Sequence, residues 1–154
     1  MGAAASRAIF AKASQPATPV NFAVPAHACD CHTHIVGSTD RFPFLTGRTF
    51  TPETALPEEL LAVHRRLHIA RVVMVTPSFY GTDNSCLLYG IKARGATARG
   101  VAVIDDKTPE SDLDAMGKAG VRGIRLNLQT TGAVDPAVGR QRFQAAVARL
   151  KSRG

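Results

Sequence analysis

The chain has no tryptophan, and aromatic residues make up only 6% of its 154 residues. Its formal net charge of +7 comes from basic residues that are dispersed along the sequence. Because a nucleic-acid surface usually combines a basic patch with aromatic stacking platforms, this composition argues against nucleic-acid binding. A small anionic partner fits the positive charge better.

Long apolar runs and a cysteine framework are also missing. No segment is apolar enough over sufficient length to span a bilayer, so no membrane partner is predicted. Three cysteines are too few for a disulfide scaffold, and a cytoplasmic location is expected. Residues 1–22, rich in Ala, Ser, Pro and Thr, are predicted to be a disordered extension. The alternative is the remnant of an export leader, which would imply a periplasmic protein.

Residues 23–154 alternate short apolar runs with amphipathic stretches, which is the pattern of βα units around a parallel sheet. The predicted strands are 27–32, 71–76, 100–105 and 123–128, and the predicted helices are 57–68, 83–94, 109–118 and 137–151. Four βα units are half of a (β/α)8 TIM barrel, so this α/β domain is predicted to be an N-terminal half-barrel. The long loop at residues 35–56 is predicted to be a lid or binding loop, with a poorly ordered insertion as the alternative.

Two histidines stand at the end of the first predicted strand. Strand alternation is expected to put Asp30, His32 and His34 on one face, and Cys29 and Cys31 on the other face as small core residues. Because parallel barrels display catalytic side chains at the ends of their strands, His32 and His34 are predicted to bind a metal or substrate. A structural pair of partly buried histidines is the alternative.

Polar residues near the ends of later strands are candidate substrate ligands. Arg125 and Asn127 are predicted to point into the barrel, where Arg125 would meet either a substrate carboxylate or an internal acidic partner. Ser78 and Tyr80 offer hydroxyl groups at the same rim.

A second histidine pair, His64 and His68, has the i, i+4 spacing of a metal chelate on a helix. Arg65 and Arg66 lie between the two histidines and would repel a cation. A solvent-exposed helix surface is therefore predicted for this pair.

Five motifs in order carry a family resemblance: Asp-Cys-His-Thr-His at 30–34, Arg-Phe-Pro-Phe at 41–44, Thr-Pro-Ser-Phe-Tyr-Gly-Thr-Asp-Asn at 76–84, Arg-Gly-Val-Ala-Val at 99–103 and Gly-Val-Arg-Gly-Ile-Arg-Leu-Asn-Leu at 120–128. Together they resemble the amidohydrolase superfamily and, within it, the branch that contains 2-pyrone-4,6-dicarboxylate lactonase. The resemblance implies an eight-stranded barrel that hydrolyses a small anionic cyclic ester.

The same resemblance implies roles for particular residues. Arg125 and Ser78 would hold the anionic substrate, and His32 and His34 would either bind a divalent metal such as Zn or Mn or orient the carbonyl without a metal. The water-activating Asp of the family comes from the last strand and has no counterpart here, so the chain is expected to be a truncated form that is inactive alone. A decarboxylase of the same fold and a stand-alone half-barrel for binding or assembly, as a homo-oligomer, are the alternatives.

Overall fold

A computed structural model of the chain describes residues 19–128, 132 and 135–153. Most of the predicted N-terminal extension, residues 1–18, lies outside the described residues. The strands are β1 Cys29–Thr33, β2 Arg71–Val75, β3 Ala98–Val103 and β4 Val121–Arg125, and the helices are α1 Pro57–Arg66, α2 Ser85–Arg94, α3 Glu110–Ala119 and α4 Pro136–Leu150. The strands are parallel and lie in the order β1-β2-β3-β4. The predicted series of four βα units is confirmed.

Local backbone geometry sets several element bounds that differ from the predicted ones. Helix α1 ends at Arg66, two residues early, because His68 adopts a left-handed backbone with φ of 56°. Gly120, with φ of 107°, ends α3 and leads directly into β4, which starts at Val121. Asp135 caps α4, because its carboxylate accepts a hydrogen bond from the Ala137 amide at 2.8 Å.

The core lies between the sheet and the helices that cover one of its faces. Val72 and Met74 of β2 and Ala98 and Ala102 of β3 are buried there. Helix α2 packs on both strands and buries Leu87 and Ile91 among other residues. None of the helices within the described ranges combines the length and the apolar character needed to cross a membrane.

A bulge in β1 changes which residues share a face. Asp30 pairs with Val72 and Thr33 pairs with Met74, so β1 carries one residue more than β2 between these two pairs. Because Val72 and Met74 face the helices, Asp30 and Thr33 also lie on the helix side. The prediction that Asp30 shares a face with His32 and His34 was therefore wrong, because strand alternation is interrupted between them.

The two cysteines of β1 also depart from the prediction that both are core residues. Cys31 is exposed and Cys29 is only half-buried. Cys29 pairs with the exposed Arg71 rather than with a residue beneath the helices. The bulge between Asp30 and Thr33 accounts for this, because it reverses the faces of the residues before it relative to His32 and His34.

The long loop between β1 and α1 is ordered and packed. Its ends are joined by an antiparallel bridge between Val36 and Ala55. The Leu45 amide donates to the Phe79 carbonyl at 2.8 Å, and Phe42 is buried in the core. The loop thus packs on the β2–α2 connection, which argues against a poorly ordered insertion. Its role as a lid or binding loop stays a prediction.

Candidate functional site

His32 and His34 form a ring pair at the end of β1. Their ring centroids are 5.2 Å apart in an edge-to-face arrangement. Nδ1 of His34 lies 2.8 Å from the Val75 carbonyl oxygen at the end of β2. Because a carbonyl can only accept, Nδ1 of the neutral ring donates, which leaves the lone pair on Nε2.

The surroundings of His34 keep its imidazole neutral. Burial lowers the pKa of His34 below its ordinary value of 6.5, and the nearby positive charges of His32 and Arg125 lower it further. The hydrogen bond to Val75 opposes this shift but does not reverse it. A neutral imidazole with a lone pair can accept a proton or bind a cation.

Arg125 lies on the sheet face that the helices leave uncovered. It pairs with Val103, and the preceding residue, Ile124, pairs with the fully buried Ala102 on the helix side. Alternation therefore puts Arg125 on the opposite face, in agreement with the predicted inward direction. His34 follows Thr33, which lies on the helix side, so His34 and Arg125 lie on the same open face of the sheet.

Ser78 and Asn127 line a cleft of about 680 Å³ between the β1–α1 loop and α4. The cleft is also lined by Arg48 and Arg142, whereas Arg125 and the histidine pair are not among its walls. Because β4 ends at Arg125, Asn127 belongs to the segment after the strand. The predicted site residues thus fall on two surfaces, the open sheet face and this cleft.

Tyr80 does not lie where the sequence suggested. Its side chain is only 3% exposed and packs against Phe44 and Phe79. The hydroxyl oxygen accepts a hydrogen bond from the Gly37 amide at 3.2 Å, and burial, with the Cys86 thiol beside it, raises the pKa of Tyr80. As a correction to the predicted substrate contact, the structure assigns the Tyr80 hydroxyl to holding the β1–α1 loop.

His64 is a buried residue that sequence reasoning placed on a solvent-exposed surface, and that prediction was wrong. It is 1% exposed, and its Nε2 lies 3.1 Å from Oδ2 of Asp30. On α1, His64 follows Leu60 by four residues and precedes Leu67 by three, so helical periodicity places it on the apolar stripe. That periodicity was the available signal, and the flanking arginines obscured it.

Asn84 is a second buried polar residue that sequence reasoning missed. Its Oδ1 accepts from the Thr76 hydroxyl at 2.7 Å and from the Val103 amide at 2.9 Å. Its Nδ2 donates to the carbonyl oxygens of Val103 and Thr82. The Asn84 amide therefore ties the ends of β2 and β3 together beside the site.

The described residues supply two donors of a metal site. A catalytic zinc ion normally takes three protein ligands. Within residues 19–128, 132 and 135–153, no cluster of three or more His, Cys, Asp or Glu side chains could hold an ion. The donor set of the described residues does not form a full metal site.

Comparisons with known proteins agree with the architecture. A family model described as Amidohydrolase matches residues 29–154. The Comamonas testosteroni 2-pyrone-4,6-dicarboxylate hydrolase is 37% identical over 114 residues, which are 74% of this chain and 37% of that protein. The Rhizobium radiobacter 4-sulfomuconolactone hydrolase is 32% identical over 120 residues, which are 76% of this chain and 40% of that protein.

A solved structure shows the same fold. It is a probable 2-pyrone-4,6-dicarboxylic acid hydrolase from Acinetobacter baumannii with citric acid bound. The TM-score is 0.69 at 23% identity, over 82% of this chain and 46% of that one. The chain spans about two fifths of the length of the two curated relatives above.

Proposed function

The chain belongs to the amidohydrolase family, and from that premise we propose that it forms one wall of an active site that hydrolyses a small anionic cyclic ester. Both curated relatives described above are named as hydrolases of such compounds, a pyrone dicarboxylate and a sulfonated muconolactone. The solved relative holds citric acid, a small polycarboxylate. The substrate class proposed here is therefore a carboxylate-bearing lactone.

The observation that carries the proposal is that His34, whose pKa is lowered, and Arg125 lie on the same open face of the sheet. Arg125 offers a planar guanidinium that can bind a carboxylate through two hydrogen bonds. His34 presents an unprotonated Nε2, because its Nδ1 is held by the Val75 carbonyl. Arg125 can bind a carboxylate of the lactone, while Nε2 of His34 is available to accept a proton beside the ester bond.

The tautomer of His34 favours one of its predicted roles over another. Polarising an ester carbonyl requires a hydrogen on Nε2, and the lowered pKa of His34 works against adding one. Accepting a proton from the attacking water, or binding a divalent ion, requires the lone pair that Nε2 has. Zn or Mn would be held by His32 and His34 together with ligands beyond those that the structure describes.

Substrate recognition by Arg125 can be tested by binding, which needs only this wall of the site. We expect Arg125→Met to weaken binding of 2-pyrone-4,6-dicarboxylate on the order of tenfold or more, because a charge-assisted hydrogen bond is lost. Chemical-shift titration of the chain provides the dissociation constants. Lys92→Met, which removes the same charge from an exposed position on α2, should leave them unchanged. Equal weakening of lactone binding by both variants would show that Arg125 acts only through the net charge of the chain and would contradict its role as a substrate ligand.

The reaction class has a separate assay. Hydrolysis of a lactone releases one carboxylic acid and no gas, whereas a decarboxylase of the same fold would release carbon dioxide. Incubation with carboxylate-bearing lactones, followed by acid titration and carbon dioxide detection, distinguishes the two. Binding without either product, by a chain that forms stable dimers on sizing, would favour a half-barrel binding or assembly protein.

A further inference from the structure

A partly buried polar network lies on the helix side of β1, opposite the face of the histidine pair. Oδ2 of Asp30 is 3.1 Å from Nε2 of His64 on α1. The other ring nitrogen of His64, Nδ1, is 3.4 Å from Nη2 of Arg94 at the end of α2. With His64 1% exposed and the side chain of Asp30 32% exposed, the three side chains form a carboxylate–imidazole–guanidinium line whose central imidazole is buried. We refer to it as the Asp30–His64–Arg94 network.

The direction of each hydrogen bond in this network follows from its ends. A guanidinium has donors only, so Nδ1 of His64 accepts from Arg94. Nε2 of His64 then carries the hydrogen and donates to Asp30. His64 and His34 therefore hold their hydrogens on different ring nitrogens, although they lie on either side of the same strand.

Asp30 also reaches the site strand itself. Its Oδ1 accepts a hydrogen bond from the His32 backbone amide at 3.2 Å. That amide lies within the bulge, between the pairs Asp30–Val72 and Thr33–Met74. A single carboxylate thus accepts from α1 with one oxygen and from the bulged backbone with the other.

We propose that Asp30 is a positioning residue, held by His64 and Arg94, that fixes the β1 bulge and thereby turns His32 and His34 to the open sheet face. Without the bulge, alternation would put Asp30 and the histidines on one side, where the carboxylate could not reach α1. The consequence for catalysis rests on the function proposed above. The geometric statement does not depend on it.

Asp30→Asn tests this role, because an amide has one acceptor oxygen and cannot serve both donors. In the wild-type chain, nitrogen-15 correlation spectra should show His34 protonated on Nδ1 and His64 protonated on Nε2, with an Overhauser effect between the rings of His32 and His34. In Asp30→Asn we expect loss of that Overhauser effect and an averaged tautomer signal for His34. Backbone amide spectra establish that the variant is folded.

Two variants of α1 complete the test. His64→Gln should retain the His34 signal and the Overhauser effect between His32 and His34, because a Gln amide can donate to Asp30 and accept from Arg94. His64→Leu should lose both. His68→Asn removes an exposed imidazole and should change nothing at His34. If His64→Leu does not fold, Asp30→Asn and His64→Gln still decide the outcome.

A folded Asp30→Asn chain that keeps both the His34 signal and the ring contact would overturn the proposal. So would a folded His64→Gln chain that loses them. Neither readout uses a lactone. A chain with the expected ring signals that binds no carboxylate-bearing lactone would contradict the proposed function and leave the role of Asp30 intact.

Discussion

His34 links the candidate site to the stability of the fold through its protonation. Because its pKa in the folded chain lies below the ordinary value of 6.5, the unfolded chain binds more protons in the window just below pH 6.5. The free energy of unfolding should therefore be greatest above that value and decrease as the pH falls through and below it. Urea unfolding between about pH 7.5 and about pH 5 measures this dependence.

A difference between variants isolates the contribution of His34, because other groups titrate in the same range. His34→Gln removes the titrating ring and should reduce the slope of stability against pH. His68→Asn removes an exposed ring that lies outside α1 and should keep the wild-type slope. An unchanged slope in His34→Gln would contradict the stated protonation of His34.

Asn84 has a larger effect on stability than its size suggests. Its side chain is 8% exposed and satisfies the Thr76 hydroxyl and both backbone groups of Val103. Asn84→Ala leaves these buried groups without their partner, and we expect a loss of about 3 kcal/mol in the free energy of unfolding. Asn21→Ala, at an exposed position, should change it by less than about 0.5 kcal/mol. Denaturant titration of both variants measures the difference.

Helices α3 and α4 are joined by arginines that differ in what they contact. Arg149 of α4 donates to the Asp105 carbonyl at 2.6 Å, to the Thr108 carbonyl and to Glu110 Oε1. Arg153 lies after α4, contacts the exposed carboxylates of Glu110 and Asp114 at 2.8 Å, and donates to the Arg149 carbonyl within its own segment. The Arg149 guanidinium therefore holds the backbone before α3, whereas Arg153 contacts α3 only through ion pairs with exposed carboxylates.

This difference predicts different effects of the same substitution. Arg149→Lys should lower the urea midpoint more than Arg153→Lys. The Arg149 guanidinium donates to two backbone carbonyls and a carboxylate at once, and the single ammonium group of Lys cannot reach all three. The effect of Arg153→Lys should shrink further in about 0.5 M salt, which screens exposed charges. Equal midpoint shifts would show that Arg149 contributes only surface charge.

Hydrophobic periodicity predicts the helices and strands, but it does not predict which residues of β1 lie on which face of the sheet. Four strands and four helices were predictable because buried strands and amphipathic helices have distinct periods. A bulge leaves no trace in that pattern, since it appears only in the pairing of β1 with β2. The face of Asp30 was mispredicted for this reason. The burial of His64 was missed because Arg65 and Arg66 obscured its place on the apolar stripe of α1, and the position of Tyr80 because a phenol at a strand end can face either the core or a ligand.

At the scale of the whole molecule, helices cover one face of the sheet, and no helix among residues 19–128 and 135–153 covers the other. The parallel order β1-β2-β3-β4 places the carboxyl ends of all four strands at one edge. A closed barrel of this type has eight strands, and the curated relatives are more than twice as long as the part that this chain matches. The open face that carries His34 and Arg125 corresponds to the interior of such a barrel. This position accounts for two polar side chains that are partly buried in the half-barrel.

The distance between the helix layer and the sheet is set by glycine. A Cβ at Gly90 of α2 would lie 2.7 Å from Sδ of Met74 and 2.9 Å from Cγ1 of Ile35, whereas one at Gly117 of α3 would meet nothing within 4 Å. Alanine improves helix propensity by about 1 kcal/mol at either position, but overpacking a core costs about 1–3 kcal/mol. Gly117→Ala should therefore raise the free energy of unfolding. Gly90→Ala should lower it, because the Met74 side chain that the new Cβ would meet is completely buried and has little room to move away. Urea unfolding of the two matched variants decides the matter, and a stabilising Gly90→Ala would mean that α2 lies farther from the sheet than described here.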